Sequence, residues 1–202
     1  MSKRMDRLSR REQIAEKALA LAARGISAIT MQSVSEACGI VSSALYRHYK
    51  NKDEILDGVR ELVRNKLIKN ARKAVEEGNS PLHILEKLAM NHAELLYNHP
   101  GIPRLLFSEA ALDRDSVRRR AIYAMMTEYR AAAVSIVVQG QEQGQIRADV
   151  SPEDVVFMLL GTVVPPSFLF HISNGAFDPR EQIKRNFLLF VEAVKVRSEE
   201  RS

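Results

Sequence analysis

The residues best suited to a defined chemistry lie between Thr30 and Lys52, in the segment TMQSVSEACGIVSSALYRHYKNK. Its second half is predicted to form a short helix over 42–49. The outward face of that helix carries Ser43, Ala44, Tyr46, Arg47 and His48. These side chains offer small hydrogen-bonding groups, one methyl group and one guanidinium. Such a combination suits base edges and phosphates in the major groove of a duplex.

The same segment contains what two short, crossing helices need. Ser35 is small enough for a close crossing, and four positions later Gly39 tolerates the positive φ of a turn. Leu45 follows six positions after the glycine and is placed to be buried beneath the second helix. The remaining residues of this small core are Val34, Ile40 and Tyr49. We therefore predict a helix-turn-helix, with Cys38 as a small buried residue rather than a redox sensor.

Positive charge is concentrated around this segment. Residues 1–52 contain ten Lys and Arg but only four Asp and Glu, whereas the whole chain has a formal net charge of +5. The rest of the chain is therefore close to neutral. A basic N-terminal quarter joined to a neutral body indicates a nucleic-acid-binding head. Taken by itself, the charge fits a solvated basic surface equally well.

Helical patterns dominate the remainder of the 202-residue chain, with almost no alternation of period two. The predicted helices cover 9–24, 31–38, 42–49, 53–77, 81–98, 102–112, 116–143, 152–164 with a broken continuation to 173, and 179–196. Ser9 and Asp53 are the predicted N-caps of the first and fourth helices. The predicted fold class is all-α, in one or two domains.

Several other classes of protein are excluded or disfavoured. A single cysteine excludes an internal disulfide and disfavours a Cys-rich zinc site. The histidines lack the spacing of metal ligands, and neither a catalytic triad nor a phosphate-binding glycine motif occurs. We therefore predict no metal, no cofactor and no enzymatic activity. The basic N-terminus is not followed directly by an apolar stretch, so it is not a signal peptide and a cytoplasmic location is expected.

The most apolar stretch runs from Val155 to Ile172 and is long enough to raise the question of a membrane span. It contains Pro165 and Pro166, which would break a spanning helix near its middle. A helix buried within protein, or between two copies of the chain, therefore fits better, and no contact with a membrane is predicted.

The segment ITMQSVSEACGIVSSALYRHYKNKDEIL resembles the DNA-binding signature of the TetR family of transcriptional regulators. Its most specific part, LYRHYKNKDEIL, is similar to the family's L-Y-x-H-F-x-x-K-x-x-L ending. The resemblance covers about residues 9–60, and the helical remainder also suits the family. The departures conserve size: Ser35 and Cys38 replace alanine, Tyr49 replaces phenylalanine, and Ser43-Ala44 replace Gly-Thr.

The resemblance implies a three-helix DNA-binding domain over 1–52 and a helical effector-binding and dimerisation domain over 53–202. It further implies that Thr30 and Lys52 contact phosphate. Tyr46 and His48 match positions that contact the DNA backbone, although both could instead be packing residues with polar tips. Lys52 could instead be an ordinary solvated lysine.

Further DNA contacts are also implied. The candidates for contact with bases or phosphates are Ser42, Ser43, Ala44 and Arg47, with Gln32 and Ser33 as weaker ones. The candidates for additional minor-groove or phosphate contacts are Arg10, Arg11 and the tail residues Lys3, Arg4 and Arg7.

In this family the C-terminal helices form a ligand pocket and a dimer interface, and this sequence permits both. The candidate pocket residues are Met90, Tyr97, Phe107, Tyr123, Met126, Phe157, Met158 and Phe168. A fully packed core would use the same residue types. The last two helices are apolar around more than one stripe, as a dimer seam requires. The candidate interface residues are Val156, Leu160, Val163, Phe187, Phe190, Val191 and Val194.

Together these features predict a homodimeric repressor that binds a palindromic operator of double-stranded DNA. A small, largely apolar effector is expected to release it. The alternative is a DNA-binding regulator controlled by a protein partner instead of a small molecule. A rise in melting temperature with small apolar ligands would distinguish the first from the second.

Overall fold

The computed structural model of the chain describes residues 2–107, 117–173 and 175–196, with side chains from residue 9 onward. Within these ranges the predicted all-α fold is confirmed. The nine α-helices are α1 (Ser2–Ala22), α2 (Met31–Ala37), α3 (Ser42–Tyr46), α4 (Lys52–Glu77), α5 (Pro81–Asn98), α6 (Gly101–Leu106), α7 (Val117–Glu142), α8 (Pro152–Ile172) and α9 (Pro179–Val194). The predicted end of the sixth helix at Leu112 lies outside the described residues.

The described residues divide into two compact units. The head unit is formed from residues 1–66 and 99–123, and the body unit from residues 67–98 and 124–202. Helices α4 and α7 each contribute residues to both units. Residue 52, the predicted domain boundary, lies inside the head unit, and the boundary remains a prediction.

In the head unit, α1 packs against α2 and α6. Ile14 and Ala18 of α1 are completely buried. Gly101 at the start of α6 lies so close to α1 that a Cβ there would be 2.2 Å from the carbonyl oxygen of Leu19. The prediction that α1 begins at Ser9 is wrong: the helix begins at Ser2, because the intervening Met, Arg and Leu residues are good helix formers.

The start of α4 also differs from the prediction. Asn51, rather than Asp53, caps this helix: its Oδ1 accepts a hydrogen bond of 2.9 Å from the amide of Glu54. The Glu54 carboxylate in turn accepts a bond of 2.9 Å from the amide of Lys50. Asp53 lies in the first turn instead, where a negative charge suits the helix dipole. Asn and Asp are both good N-caps, so residue type alone does not choose between them.

In the body unit, α5, α8 and α9 pack against one another around a mainly apolar core. Leu85 of α5, Val156 and Val163 of α8, and Phe190 of α9 are completely buried there. The segment after α7 is tied to the end of α9 through hydrogen bonds between main-chain groups, from the amide of Arg147 to the carbonyl of Val194 (2.9 Å) and from the amide of Val196 to the carbonyl of Gln145 (3.2 Å).

Helix α8 continues through Pro165 and Pro166, so the predicted break is wrong. Each proline lacks an amide hydrogen and therefore leaves one carbonyl of the preceding turn without its helical donor. The carbonyl left by Pro165 belongs to Gly161, which is exposed, so water can satisfy it.

The carbonyl left by Pro166 belongs to Thr162, which is buried. Asn186 of α9 supplies the missing donor, because its Nδ2 lies 3.3 Å from the carbonyl oxygen of Thr162. Gln182 orients that amide by donating to Asn186 Oδ1 at 2.9 Å. A side chain on a neighbouring helix thus allows α8 to tolerate a proline in its interior.

By length and composition alone, α7 and α8 would each be long and apolar enough to cross a membrane. A core helix of a soluble protein passes the same test. Helix α8 packs against both α5 and α9, as a helix buried within protein would. Because α8 continues through both prolines, its packing against α5 and α9, and not a proline break, favours a helix buried within protein.

Replacing Asn186 tests how α8 accommodates Pro166. We expect Asn186→Ala to lower the free energy of unfolding by about 1 kcal/mol, because the Thr162 carbonyl loses its donor. In a Pro166→Ala background the restored amide can donate to the same carbonyl, so the second loss should be smaller. Urea unfolding of the four variants measures this double-mutant cycle. Equal losses in the two backgrounds would contradict the assignment.

Candidate functional site

The predicted helix-turn-helix is present in the head unit. α2 and α3 are joined by a turn in which Gly39 has φ of +63°, a conformation that favours glycine. Leu45 is completely buried beneath α3, and Ser35 is buried where the two helices cross. The hydroxyl oxygens of Ser35 and Ser42 lie 3.4 Å apart, which brings the start of α3 onto α2. These core residues confirm the spacing argument.

The outer face of α3 is available to a ligand. Ser42, Ser43, Tyr46 and Arg47 are exposed, whereas Ala44 and His48 are half-buried. Helix α3 ends at Tyr46, earlier than predicted, and Arg47 is its C-cap. Serine hydroxyls and the Ala44 methyl thus occupy the first turn of α3. The larger side chains of Tyr46 and Arg47 follow at the C-terminal end of the helix.

The start of α2 is closed by a reciprocal capping box. The amide of Ser33 donates to Thr30 Oγ1 at 3.0 Å, and the amide of Thr30 donates to Ser33 Oγ at 2.9 Å. The Ser33 hydroxyl also donates to the carbonyl of Ala28 at 2.7 Å. Ser33 is therefore mainly a structural residue, while Thr30 remains exposed at the helix start.

Two further candidates make contacts inside the head unit. Gln32 donates through Nε2 to Glu36 Oε1 at 2.9 Å on the exposed side of α2. Lys52 Nζ donates to the carbonyl of Ile26 at 2.9 Å, which ties the start of α4 to the short 3-10 turn before α2. An ammonium has three N–H donors, so this contact leaves Lys52 able to reach a phosphate.

One exposed residue of this surface was not among the sequence candidates. Val41 is the N-cap residue of α3, makes no side-chain cap and is 69% exposed. A β-branched apolar residue is a poor N-cap, costing about 1 kcal/mol relative to serine. Valine is not among the residue types that favour N-cap positions. This mismatch was the signal in the sequence that could have pointed to Val41.

The basic residues of α1 behave differently from one another. Arg10 donates to Gln13 Oε1 at 2.9 Å on the exposed side of α1. Arg11 instead points to the end of α3, where Nη1 donates to the carbonyl of His48. The side chains of the tail candidates Lys3, Arg4 and Arg7 lie outside the described residues.

The body unit contains a buried polar pair that the sequence did not reveal. The Tyr129 hydroxyl and His92 Nδ1 lie 3.3 Å apart, and the two rings meet edge to face with centroids 5.3 Å apart. Burial lowers the pKa of His92 to about 4 and raises the pKa of Tyr129 above its usual range. Both groups are therefore neutral near pH 7.

Asn91 directly precedes His92 in the sequence, and Arg130 directly follows Tyr129. Asn91 Nδ2 and Arg130 Nε are buried without a hydrogen bond. The Arg130 guanidinium lies 3.9 Å from the centroid of the Phe157 ring. Among the described residues, no three His, Cys, Asp or Glu side chains are grouped as metal ligands.

None of the candidate pocket residues is fully buried. Met90, Tyr97 and Met126 are half-buried. The five that are exposed are Phe107, Tyr123, Phe157, Met158 and Phe168. Phe107 and Tyr123 belong to the head unit and the other six to the body unit.

Most of the candidate interface residues face the core of the body unit. The five that are buried are Val156, Val163, Phe187, Phe190 and Val194, whereas Leu160 and Val191 are half-buried. Other apolar side chains on the same two helices remain exposed. This apolar surface consists of Phe157, Met158, Phe168, Leu169 and Ile172 on α8 and Leu188 and Leu189 on α9.

Two family signatures match the chain. One, described as bacterial regulatory proteins of the tetR family, covers residues 14–59 and includes the whole helix-turn-helix. The other, described as a tetracyclin repressor-like C-terminal domain, covers residues 81–175. The chain belongs to the TetR family. It is therefore a DNA-binding transcription regulator and not an enzyme, as the helix-turn-helix predicted.

Individual relatives extend the TetR-family match over almost the whole chain. The chain is 27% identical over 184 residues to the HTH-type transcriptional repressor KstR2 of Mycobacterium tuberculosis, covering 91% of each. It is 21% identical over 189 residues to the nucleoid occlusion factor SlmA of Vibrio vulnificus, covering 93% of this chain and 96% of that protein.

Solved structures of TetR-like regulators share the fold. A structure of the ketosteroid transcriptional regulator KstR2 of Mycobacterium tuberculosis superposes with a TM-score of 0.71 at 23% identity, covering 93% of this chain and 96% of that chain. The regulator FadR of Bacillus subtilis in complex with stearoyl-CoA gives a TM-score of 0.75 at 17% identity, covering 89% of this chain and 96% of that chain.

The buried His92 makes the stability of this TetR-family protein depend on pH. Its folded-state pKa lies below the unfolded value, so the unfolded state binds the proton more tightly and acid favours unfolding. Stability should be nearly constant above about pH 7.5 and fall by about 2 kcal/mol between about pH 7.5 and about pH 5. Urea unfolding measures this loss. His92→Gln should remove it, and a slope that persists in that variant would assign the effect to other groups.

Proposed function

We propose that this TetR-family regulator is a homodimeric repressor that places α3 of each subunit in the major groove of a palindromic operator. The observation that carries the proposal is the exposed polar face of α3 above a buried helix-turn-helix core. The two α3 helices would then be about 34–36 Å apart, or a multiple of that, to reach successive half-sites. The relatives named as transcriptional repressors support repression.

Base readout falls to the first turn of α3 in this proposal. Ser42, Ser43 and Ala44 lie there, and the N-terminal residues of a recognition helix are those that contact base edges. Tyr46, Arg47 and His48 lie at the other end and contact the DNA backbone. Phosphate contacts from the flanks come from Thr30 and Lys52, with smaller contributions from Gln32 and Ser33.

The proposed effector is a small, largely apolar molecule that binds in the body unit. The buried His92–Tyr129 pair would hold its polar group, since a few neutral polar groups in an apolar interior fix orientation. The FadR structure that contains stearoyl-CoA and the KstR2 structure named for ketosteroids support an effector of this class.

A protein partner in place of the small molecule is the second candidate. The nucleoid occlusion factor SlmA of Vibrio vulnificus matches 93% of the chain, so the fold is compatible with roles outside metabolite sensing. A small-molecule effector should raise the melting temperature of the purified protein, whereas a protein-controlled regulator should not respond to such ligands.

We place the functional boundary at residue 52, where the DNA-binding segment ends and α4 begins. Helix α4 runs without a break from Lys52 to Glu77 and has residues in both units. Such a helix can transmit a change in the body unit to the head if the effector binds the two states with different affinity. Couplings of this kind are typically about 1–3 kcal/mol.

Operator DNA and the soluble nature of the family favour a cytoplasmic location.

The proposed dimer interface is the apolar surface of α8 and α9 defined above. It replaces the buried candidates, because a side chain inside the subunit core cannot contact a partner. Gly161 lies on the same face of α8 as Phe157 and Phe168, and a Cβ added there would meet nothing within 4 Å. A small residue with open space above it allows the helix of a second copy to approach closely.

Arg47 provides a test of the proposed DNA contacts. We expect Arg47→Gln to weaken operator binding about tenfold and to lower the slope of log K against log [salt] by about 2, because a dimer loses one phosphate contact per subunit. Fluorescence anisotropy with a duplex selected by the protein itself, at a series of KCl concentrations, measures both. Arg24→Gln, which removes another exposed arginine of the head, should change neither. An unchanged slope would remove Arg47 from the DNA surface.

Gly161 tests the dimer interface. Gly161→Glu should leave the subunit folded, because the position is open within the subunit and glutamate favours helix. Dimerisation should weaken by about 100-fold or more, because an unpaired charge would be buried against the partner. Sedimentation equilibrium measures the dissociation constant, and Val75→Glu, at an exposed valine outside the apolar surface, is the control. Equal dimerisation of the two variants would move the interface elsewhere.

A further inference from the structure

Arg11 and Tyr49 form a reciprocal contact between α1 and the end of the recognition helix. The guanidinium of Arg11 donates through Nη1 to the carbonyl of His48 and lies 4.1 Å from the centroid of the Tyr49 ring. In return, the Tyr49 hydroxyl donates to the carbonyl of Arg11 at 3.0 Å. The two residues therefore hold each other through one stacking contact and two hydrogen bonds to the main chain.

The environment of Tyr49 fixes this arrangement. The Tyr49 side chain is only 1% exposed, and burial raises the pKa of its hydroxyl, which stays protonated and donates. Gly58 of α4 lies against the ring: a Cβ there would be 2.4 Å from the Tyr49 hydroxyl oxygen. The hydroxyl is thus enclosed by the main chains of α1 and α4 and has little freedom to move.

The recognition helix needs such support because it is only five residues long. A helix this short is not stable by itself, and its direction is set by the contacts at its two ends. The start of α3 is held by the approach of Ser42 to Ser35. At the other end, the carbonyl of His48 has an acceptor site that is filled from α1 by Arg11.

We propose that Arg11 is a positioning residue, which sets the direction of α3 in the groove through His48 and Tyr49 and does not contact phosphate. This assignment rests on the proposed placement of α3 in the major groove. It replaces the expectation, drawn from the family resemblance, that Arg11 adds a minor-groove or phosphate contact. A phosphate contact and a positioning contact differ in two measurable ways.

The first difference is salt dependence. Loss of a phosphate contact lowers the slope of log K against log [salt], whereas loss of a positioning contact weakens binding at every salt concentration. The second difference is specificity. A phosphate contact weakens binding to all duplexes alike, whereas a misdirected recognition helix loses affinity mainly for its preferred sequence.

The test compares the full-length wild-type protein with Arg11→Gln and Arg47→Gln, on a duplex selected by the wild type and on a scrambled duplex of the same composition. For Arg11→Gln we expect about tenfold weaker binding to the selected duplex, little change on the scrambled one and an unchanged salt slope. Arg47→Gln should lower the slope by about 2 and weaken both duplexes. Stoichiometric titration at low salt establishes that each variant is fully active.

Tyr49→Phe provides a second variant in case Arg11→Gln folds poorly. It removes only the hydroxyl and should shift the specificity ratio in the same direction, and its effect should not add to that of Arg11→Gln. A salt slope for Arg11→Gln that falls as it does for Arg47→Gln would overturn the proposal, as would wild-type affinity in both variants. Failure of the wild type to bind any duplex would instead refute the proposed function.

Discussion

The DNA-binding surface depends on one constraint: a helix of five residues cannot hold its own direction. Such a helix has barely more than one turn, so its orientation comes from tertiary contacts rather than from its own hydrogen bonds. Leu45 anchors α3 from below, and Ser42 fixes its start on α2. Arg11 holds its end from α1. The exposed residues of α3, which are proposed to face the groove, are therefore free to vary with the DNA sequence, because the buried side of the helix supplies its stability.

A related rule operates in the body unit. In both units a main-chain carbonyl that its own helix cannot satisfy receives a donor from a side chain on another helix. The carbonyl of His48 accepts from Arg11, and the carbonyl of Thr162 accepts from Asn186. Unpaired polar groups are costly when buried, so each irregularity of the main chain must be matched by a particular residue elsewhere. The two pairs join residues that lie 37 and 24 positions apart in the sequence, respectively.

The part of the fold that the sequence predicts is the part governed by local spacing. Gly39 and Leu45 follow from the geometry of a helix-turn-helix, and Pro81 marks the observed start of α5. Contacts between distant residues were not predictable: Arg11 and Asn186 looked like ordinary polar residues. The sequence also did not predict which face of α8 is exposed, because a helix that is apolar on all sides has no hydrophobic period that distinguishes one face from another. For that reason the interface candidates fell on the core side.

The close approach of Gly101 to Leu19 has a mechanical consequence for the head unit. Here α6 meets α1 through main-chain atoms, without an intervening side chain. A contact made by side chains can absorb a small shift by a change of rotamer, whereas a contact between backbones cannot. Helix α6 therefore cannot shift toward α1 without displacing it, so we expect the two helices to move together as one rigid body.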